Sequence, residues 1–236
     1  MSTPASPISP TPSMPTLSLL KTRILGVLVE KQHTVPDIYP LTRNALIAGC
    51  NQKNSRDPVI NAGLAEVQAA IDHLRSLGLI SESEGGRVMR FEHNLGRVLR
   101  VPSQCVALLA TLFLRGPQTV GELRINSERL HKFADISTVE GFLHDLAERA
   151  DGALVRELPR QAGARENRWT HLLSGEPAAE LMTQHSQVVD EDAVSVSEIA
   201  ALTRNVTELQ EQVAALKATV ARLCKELGIA ESSPQS

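Results

Sequence analysis

Nine apolar residues near the C-terminus recur at alternating intervals of three and four residues, and this spacing constrains the fold more than any other feature. They are Ile199, Leu202, Val206, Leu209, Val213, Leu216, Val220, Leu223 and Leu227. With Ile199 at heptad position a, every d residue is leucine and the a residues are isoleucine, valine or leucine. This combination is typical of parallel two-stranded coiled coils. The spacing therefore predicts a coiled coil over residues 196–228 and a homodimer.

A single amphipathic helix packed on the rest of its own chain is the alternative. A seam confined to positions a and d is narrower than the face that a globular helix usually buries, which favours the dimer. The e and g positions are mostly uncharged, with Lys217 and Glu226 as exceptions, so pairing would depend on the apolar seam. Residues 174–236 carry a net charge of −6. Within them, residues 174–195 are predicted to be an acidic linker and 229–236 a disordered tail.

The remaining chain has room for two modest domains with little aromatic core. Aromatic residues make up 3% of the sequence, and stretches rich in Ala, Leu and Glu favour helix. The longest apolar run, residues 105–114, is about half the roughly 20 residues that a membrane-spanning helix needs. Residues 1–15 are rich in proline and serine, without the basic and apolar regions of a secretory signal. We expect a disordered leader and a cytoplasmic protein with three reduced cysteines.

Residues 16–94 show three helical patterns followed by two strand-like runs. Leu20, Ile24, Leu25 and Leu28 share one face, with Thr16 as a possible N-cap, and "LTRNALIAGCNQ" predicts a second helix. A third runs from Leu64 to Leu77, and Gly78 follows it as an expected left-handed C-terminal cap. The runs "LISES" and "RVMRFEH" flank Gly85 and Gly86. Three helices and a β-hairpin form the order of a winged helix.

Residues 95–173 repeat this plan with a different sequence. Helix one is "SQCVALLATLFL", and two possible capping boxes open the next helices: Thr119 with Glu122, and Ser137 with Glu140. The run "DGALVREL" and the strand "RENRWTHL" complete the second hairpin, where Arg168-Trp169 corresponds to Arg90-Phe91. The predicted fold class is mainly α with small β-hairpin wings, as two tandem winged-helix domains plus a C-terminal coiled-coil helix.

Two sequence blocks carry a family resemblance: "VLVEKQHTVPDIYPLTRNALIAGCNQKNSRDPV" in the first repeat and "LRGPQTVGELR" in the second. On these blocks, residues 16–173 resemble the YceH-like family of uncharacterised bacterial proteins. The resemblance implies tandem winged helices. It brings no established activity and no functional residue to this chain.

No motif in the sequence predicts catalysis or a bound cofactor. The spacings GxSxG, GxGxxG and HExxH and the P-loop are absent, so we expect no enzyme. The seven histidines are scattered without the short ligand spacing of a zinc site, and we expect neither a metal nor a cofactor.

The polar loop "NQKNSRDPV" is the most conspicuous candidate site. Its amides and cations, Asn51, Gln52, Lys53, Asn54 and Arg56, suit contacts with phosphate or protein. Asp57 before Pro58 would instead form a local turn and pair with Arg56, which makes the loop structural. The sequence leaves both interpretations open.

Two functions fit the predicted fold. The first is double-stranded DNA binding led by the first domain, with helix three and the wing as contact surfaces. Its candidate residues are Lys53, Arg56, Gln68, Arg75, Arg87 and Arg90. The second is a protein-interaction scaffold, since the two domains carry net charges of only +1 and +2 and helix three of the second repeat exposes Glu140, Asp145 and Glu148. The winged-helix order favours DNA binding by analogy of fold.

Overall fold

A computed structural model describes residues 15–85, 88–160, 164–177 and 193–227. The first half of the chain folds from α1 (Leu19–Thr34), a 3-10 turn (Pro36–Ile38), β1 (Leu41–Thr42), α2 (Arg43–Cys50), α3 (Leu64–Ser76), β2 (Ile80–Gly85) and β3 (Val88–His93). The three strands form an antiparallel sheet in the order β1-β3-β2, with Leu41 and Glu82 on either side of Phe91. Phe91 belongs to the same buried cluster as the apolar residues of α1 and α3, so the helices and the sheet share one interior.

The second half follows the same order after one additional short helix. Its elements are α4 (Leu95–Leu99), α5 (Ser103–Arg115), α6 (Val120–Asn126), α7 (Ile136–Ala147), β4 (Val155–Leu158) and β5 (Arg168–His171). Strands β4 and β5 are antiparallel, and Gln118 forms a single bridge to Trp169. The mainly helical class with small antiparallel sheets is therefore confirmed. The helix α4 was not anticipated from the sequence.

One hydrogen-bond arrangement recurs in both halves and supports the duplication. Arg90 donates from Nη1 to the carbonyl of Pro40 at 2.8 Å, and Arg168 donates from Nη1 to the carbonyl of Pro117 at 2.8 Å. The aromatic residue after each arginine is 3% exposed and pairs with the residue after that proline. The predicted correspondence of Arg168-Trp169 with Arg90-Phe91 is thus seen in the hydrogen bonds themselves.

The two halves pack against each other through α1 and α5, and their buried residues form one continuous cluster. Gly26 makes this close approach possible, because a Cβ there would lie 2.9 Å from Leu114 Cδ2 and 3.2 Å from Phe113 Cβ. A shared core lets the halves act as one rigid support. That residues 16–94 and 95–173 are separate domains stays a prediction.

Replacing Gly26 with alanine is expected to lower the free energy of unfolding by about 1–3 kcal/mol, because the methyl group overpacks the α1–α5 contact. Gly141 in α7 is the matched control, since a Cβ there meets nothing within 4 Å. Gly141→Ala should stabilise the protein by roughly 0.5–1 kcal/mol, as expected for a helical glycine. Urea unfolding followed by circular dichroism measures both. Equal signs for the two substitutions would contradict the role assigned to Gly26.

Helix boundaries show where local sequence signals succeed. Gly78 has φ of +71° and Thr119 forms its capping box with Glu122, as predicted. Two predicted caps are wrong: α1 begins after Ser18 rather than Thr16, and α7 begins after Asp135, whose side chain accepts from the Thr138 N–H at 2.7 Å. The Asp135 side chain already accepts from a free N–H group of the first turn, two residues before the predicted N-cap Ser137.

The C-terminal helix α8 (Ala193–Leu227) contains the predicted coiled-coil segment, apart from residue 228, which lies outside the described residues. The predicted leader falls almost entirely outside them, as do residues 178–192 of the predicted linker and all of 229–236. Of the described residues, no helix is long and apolar enough to cross a membrane.

Candidate binding surfaces

The polar loop between α2 and α3 is held by its own first residue. Asn51 lies at the end of α2 and makes two hydrogen bonds with Ala62: its side-chain amide donates to the Ala62 carbonyl at 3.0 Å, and its Oδ1 accepts from the Ala62 N–H at 2.7 Å. This pair closes the loop as a strand pair would, across eleven residues. Asn51 therefore shapes the loop.

Arg56 lies inside the protein, which corrects its assignment as a phosphate contact. Its side chain is 0% exposed and forms an ion pair with Glu30 of α1 at 2.7 Å. The same guanidinium donates to the Gly49 carbonyl at 3.1 Å, to the Ser55 carbonyl at 2.9 Å and to Gln52 Oε1 at 3.3 Å. A buried arginine with these partners fixes the loop and cannot reach a ligand. The carboxylate partner is Glu30 and not the neighbouring Asp57 that the sequence suggested.

Glu30 is ionised in this pair. Burial by itself raises the pKa of the carboxyl, but the hydrogen bonds and charge of Arg56 outweigh burial and hold the pKa below its ordinary value.

Gln52 also accepts from Lys31 Nζ at 3.5 Å, so a second residue of α1 contacts the loop.

Arg23 is a further buried cation that sequence reasoning missed. It is 0% exposed and donates to the Pro58 carbonyl at 2.8 Å and to the Cys50 carbonyl at 3.4 Å. Burial and the nearby charge of Arg56 lower its pKa. The sequence signal that could have identified Arg23 is its position beside the apolar stripe of α1. A cation there must find hydrogen-bond acceptors when the helix is buried on most sides.

The outer side of the loop remains accessible. Lys53 and Asp57 are exposed, and Lys53 with Asn54 lines an open cleft of about 320 Å³ between the loop and α8. Ser55 has φ of +57°, and its hydroxyl accepts from Arg115 Nη2 at 2.8 Å and contacts Glu208 of α8. Of the loop candidates, Lys53, Asn54 and Asp57 therefore face outward, while Asn51, Gln52 and Arg56 hold the loop together.

The arginine that α3 contributes to its solvent face is ion-paired. Arg75 is half exposed and lies 2.6 Å from Glu82 of β2 and 3.7 Å from Asp72. Gln68 accepts from Arg43 at 2.9 Å and donates to Asp72 at 3.0 Å. The two α3 residues proposed to contact DNA are thus engaged with side chains of the same chain.

The β2–β3 hairpin is more apolar than its sequence suggested. Val88 and Met89 are 55% and 40% exposed, and Leu64 at the start of α3 is 52% exposed. Arg90 donates to the carbonyls of Ile38 and Pro40, so its guanidinium is tied to the segment before β1. Arg87 lies outside the described residues. We call the solvent face of α3 together with Val88 and Met89 the α3–hairpin surface.

The second half presents acidic residues on α7, as the sequence predicted. Glu140, Asp145 and Glu148 are exposed. In α6 of the same half, Glu122 is 5% exposed and contacts both Arg168, at 3.3 Å, and Arg204 of α8.

Helix α8 lies on the body of the protein, residues 15–177, by a polar face. Arg204 pairs with Glu122, and Glu208 pairs with Arg115 at 3.3 Å and contacts Ser55. Ala201, one turn before Arg204, is 1% exposed. Burial lowers the pKa of Arg115 despite the charge of Glu208 beside it. The alternative of packing within the chain is therefore present, but through residues outside the predicted seam.

The cysteines and acidic residues form no reactive or metal-binding group in the described part of the chain. Burial raises the pKa of the Cys50 thiol to about 12 and that of Cys105 to about 11, so both are protonated at neutral pH. No three His, Cys, Asp or Glu side chains of the described residues come together as a metal ion would need.

Comparison with known proteins identifies the family. The family model described as "Protein of unknown function, DUF480" matches residues 17–164. A UPF0502 protein of Dechloromonas aromatica is 56% identical over 214 residues, which cover 91% of this chain and 99% of the relative. The chain belongs to the UPF0502 (DUF480) family. A UPF0502 protein of Burkholderia ambifaria is 54% identical over 230 residues, covering 95% and 97%. The resemblance to YceH-like proteins is consistent with this membership.

The UPF0502 family model covers the loop, α3 and the β2–β3 hairpin, and it ends before β5 and α8. Neither the description of the family nor the names of these relatives state an activity. Any function of this UPF0502 chain must therefore be inferred from its surfaces.

Proposed function

We propose that this chain is a non-enzymatic tandem winged-helix protein whose first half binds a protein partner through the α3–hairpin surface. The observation that carries the proposal is the ion pairing of Arg75, which leaves the solvent face of α3 acidic. Arg75 is neutralised by Asp72 and Glu82, while Glu66 caps the helix through the Gly63 N–H at 2.7 Å.

The charge of this surface disfavours DNA. A recognition helix in the major groove approaches phosphates on both sides, and an exposed Asp72 at its centre would be repelled by them. The small residues Ala65 and Ala69 lie two turns and one turn before Asp72 on the solvent face and cannot form hydrogen bonds with base edges. Gln68, whose amide could read a base edge, is held between Arg43 and Asp72. The surface therefore offers few free groups for affinity and sequence readout.

The same features suit a protein partner. Leu64 of α3 and Val88 and Met89 of the hairpin are exposed apolar residues, and Asp72 and Glu66 are exposed carboxylates of α3. Protein interfaces combine an apolar centre with a polar rim. We infer that the partner carries an apolar anchor residue flanked by lysine or arginine. The Arg75–Glu82 ion pair lies between α3 and β2.

Site-specific photo-crosslinking inside living cells that express the protein tests the proposal. A photoreactive amino acid at Ala69 should cross-link one protein partner, because this position lies on the solvent face of α3. The charge reversal Asp72→Lys should abolish the cross-link. The same photoreactive residue at Glu128, which is exposed in the second half, is the matched control and should not capture that partner.

DNA binding is measured in parallel by fluorescence anisotropy with a duplex of 30 base pairs. We expect weak binding that disappears between 50 and 200 mM salt, the behaviour of non-specific contacts. Tight binding at 200 mM salt that Arg87→Ala with Arg90→Ala weakens would instead support DNA binding led by the hairpin and would overturn the proposal.

A further inference from the structure

We propose that α8 uses two faces at once: its polar face docks on the body of its own chain, and its apolar seam pairs in parallel with α8 of a second copy. The two bodies would then lie on opposite sides of one coiled coil. This inference does not depend on the proposed function.

The seam is uncovered in the single chain. Its members with described side chains are each at least half exposed: Leu202, Val206, Leu209, Val213, Leu216 and Val220. Six large apolar residues aligned on one helix are costly in water, at about 25 cal/mol per Å² of apolar surface. Their exposure indicates a face that another molecule covers.

The docked face and the seam are different sides of the helix. Ala201 and Glu208 occupy heptad position c and Arg204 occupies position f, whereas the seam consists of a and d. At 3.6 residues per turn the centres of the two faces are separated by roughly 150° around the helix axis. A partner helix can therefore cover the seam without displacing the Arg204–Glu122 and Glu208–Arg115 contacts.

The end of α8 also requires a partner. Every residue from Val213 to Val220 is exposed, so this part of the helix receives no cover from the described body. An isolated helical segment of this length is marginal in water. Pairing along the seam would supply the tertiary contacts that the body does not provide.

A second copy of this chain is the occupant that the residues favour. Leucine at every d position with β-branched residues at most a positions is self-complementary in a parallel dimer. The flanking g and e residues would meet as Asn205 with Gln210 and as Gln212 with Lys217 of the other copy, so neither pair repels. Lys217 is the one charge on these flanks between residues 203 and 219, and it offers little basis for selecting a foreign helix by charge.

Two-fold symmetry places the bodies apart. In a parallel dimer the two-fold axis runs between the two helices. Each body is displaced from the seam of its own helix by the same rotation about the helix axis. The bodies therefore fall on opposite flanks, with two α3–hairpin surfaces joined by one rigid stalk. Two weak sites joined in this way would act at a high effective concentration on a partner with two copies of the target.

Light scattering on the full chain at micromolar concentration tests dimerisation. We expect the mass of a dimer. Val213→Lys with Leu216→Lys should raise the dissociation constant at least about a hundredfold, because unpaired ammonium groups would lie in a dry seam. The control, Ala214→Lys with Ala218→Lys, adds the same two charges on the opposite side of the helix and should remain dimeric. A monomeric wild type, or a dimeric seam variant, overturns the proposal.

Oxidative cross-linking tests the parallel register in a Cys224→Ala background, where Cys50 and Cys105 are buried. Val213→Cys should form a disulfide-linked dimer, because a positions of the two copies face each other, while Ala218→Cys should not. The reverse result excludes a parallel in-register pair.

The docking of the bodies is measured separately by the distance between spin labels at Glu128→Cys in that background. We expect one narrow distance distribution. Arg204→Ala with Glu208→Ala should broaden it while the mass of the dimer is unchanged. A distribution that the double substitution leaves narrow would exclude the docking role of these two residues.

Discussion

Replacing Arg56 with alanine is expected to lower the free energy of unfolding by about 3–5 kcal/mol, the usual cost of breaking a buried ion pair. The substitution removes the 2.7 Å partner of the Glu30 carboxylate, which is 16% exposed and keeps only Lys31 at 3.2 Å. It also removes the donor from the carbonyls of Gly49 and Ser55. Since small domains are stable by about 5–15 kcal/mol, the loss is a large fraction of the total. Urea unfolding at pH 7.5 measures it.

The half-exposed arginine of α3 provides the matched control. Arg75 lies 2.6 Å from Glu82, a separation close to that of Arg56 and Glu30, but both members of its pair are partly open to solvent. Because solvent screens such pairs, Arg75→Ala should leave the unfolding midpoint nearly unchanged. Glu30→Leu combined with Arg56→Met should recover part of the stability by removing both buried charges. If Arg56→Ala and Arg75→Ala lowered the free energy of unfolding equally, burial would not explain why the Arg56–Glu30 pair stabilises the protein.

The order of the elements could be predicted because local signals carried it. The helices that apolar periodicity predicts are present as α1, α3 and α5. Of these, α3 buries a single face, whereas α1 and α5 are buried on most sides. The positive φ of Gly78 follows from its place after α3. The capping box of Thr119 with Glu122 is satisfied within four residues of sequence. Signals of this kind need no knowledge of distant residues.

The loop was less predictable because its partners lie on another helix. Arg56 and Glu30 are 26 residues apart, and Arg23 and Pro58 are 35 apart. From its residue type alone, Arg56 is a candidate for phosphate contact. Its burial in the fold shows instead that it holds the loop. The same applies to Arg90 and Arg75, whose charges are directed to acceptors that only the fold brings near.

The surface character of the first half could be inferred only in part. A net charge of +1 over residues 16–94 argued for weak DNA affinity, but the sequence could not show that Arg75 is neutralised by Glu82. The heptad spacing predicted a helix with one apolar face. It could not show that Arg204 and Glu208, outside that face, hold the helix to the body through Glu122 and Arg115.

Acid is expected to destabilise the protein between about pH 6.5 and pH 4 through two partly buried histidines. Burial lowers the pKa of His93 to about 4, with a smaller contribution from the nearby charge of His33, and burial lowers the pKa of His171 to about 4. In the unfolded chain these pKa values are about 6.5. Between the two values the unfolded state binds protons that the folded state does not, so the stability falls with falling pH.

The expected loss is large because two groups contribute in the same window. A depression of this size corresponds to at most about 3 kcal/mol for each histidine. The loss is absent above about pH 7 and is complete only about one unit below pH 4, where both states are fully protonated. Glu30, whose pKa is lowered in the fold, adds a loss in the same direction only at more acidic pH.

Unfolding by urea at pH 7.5, 6.5, 5.5 and 4.5 tests this expectation, with the slope of stability against pH as the readout. His171 packs edge to face on Phe113 with ring centroids 4.9 Å apart, so phenylalanine can occupy its place. His171→Phe should reduce the slope by roughly half, because one of two titrating groups is removed. His93→Gln, which retains an amide able to reach Gln32, should remove most of the remainder. An unchanged slope in the double variant would show that other groups govern the acid transition.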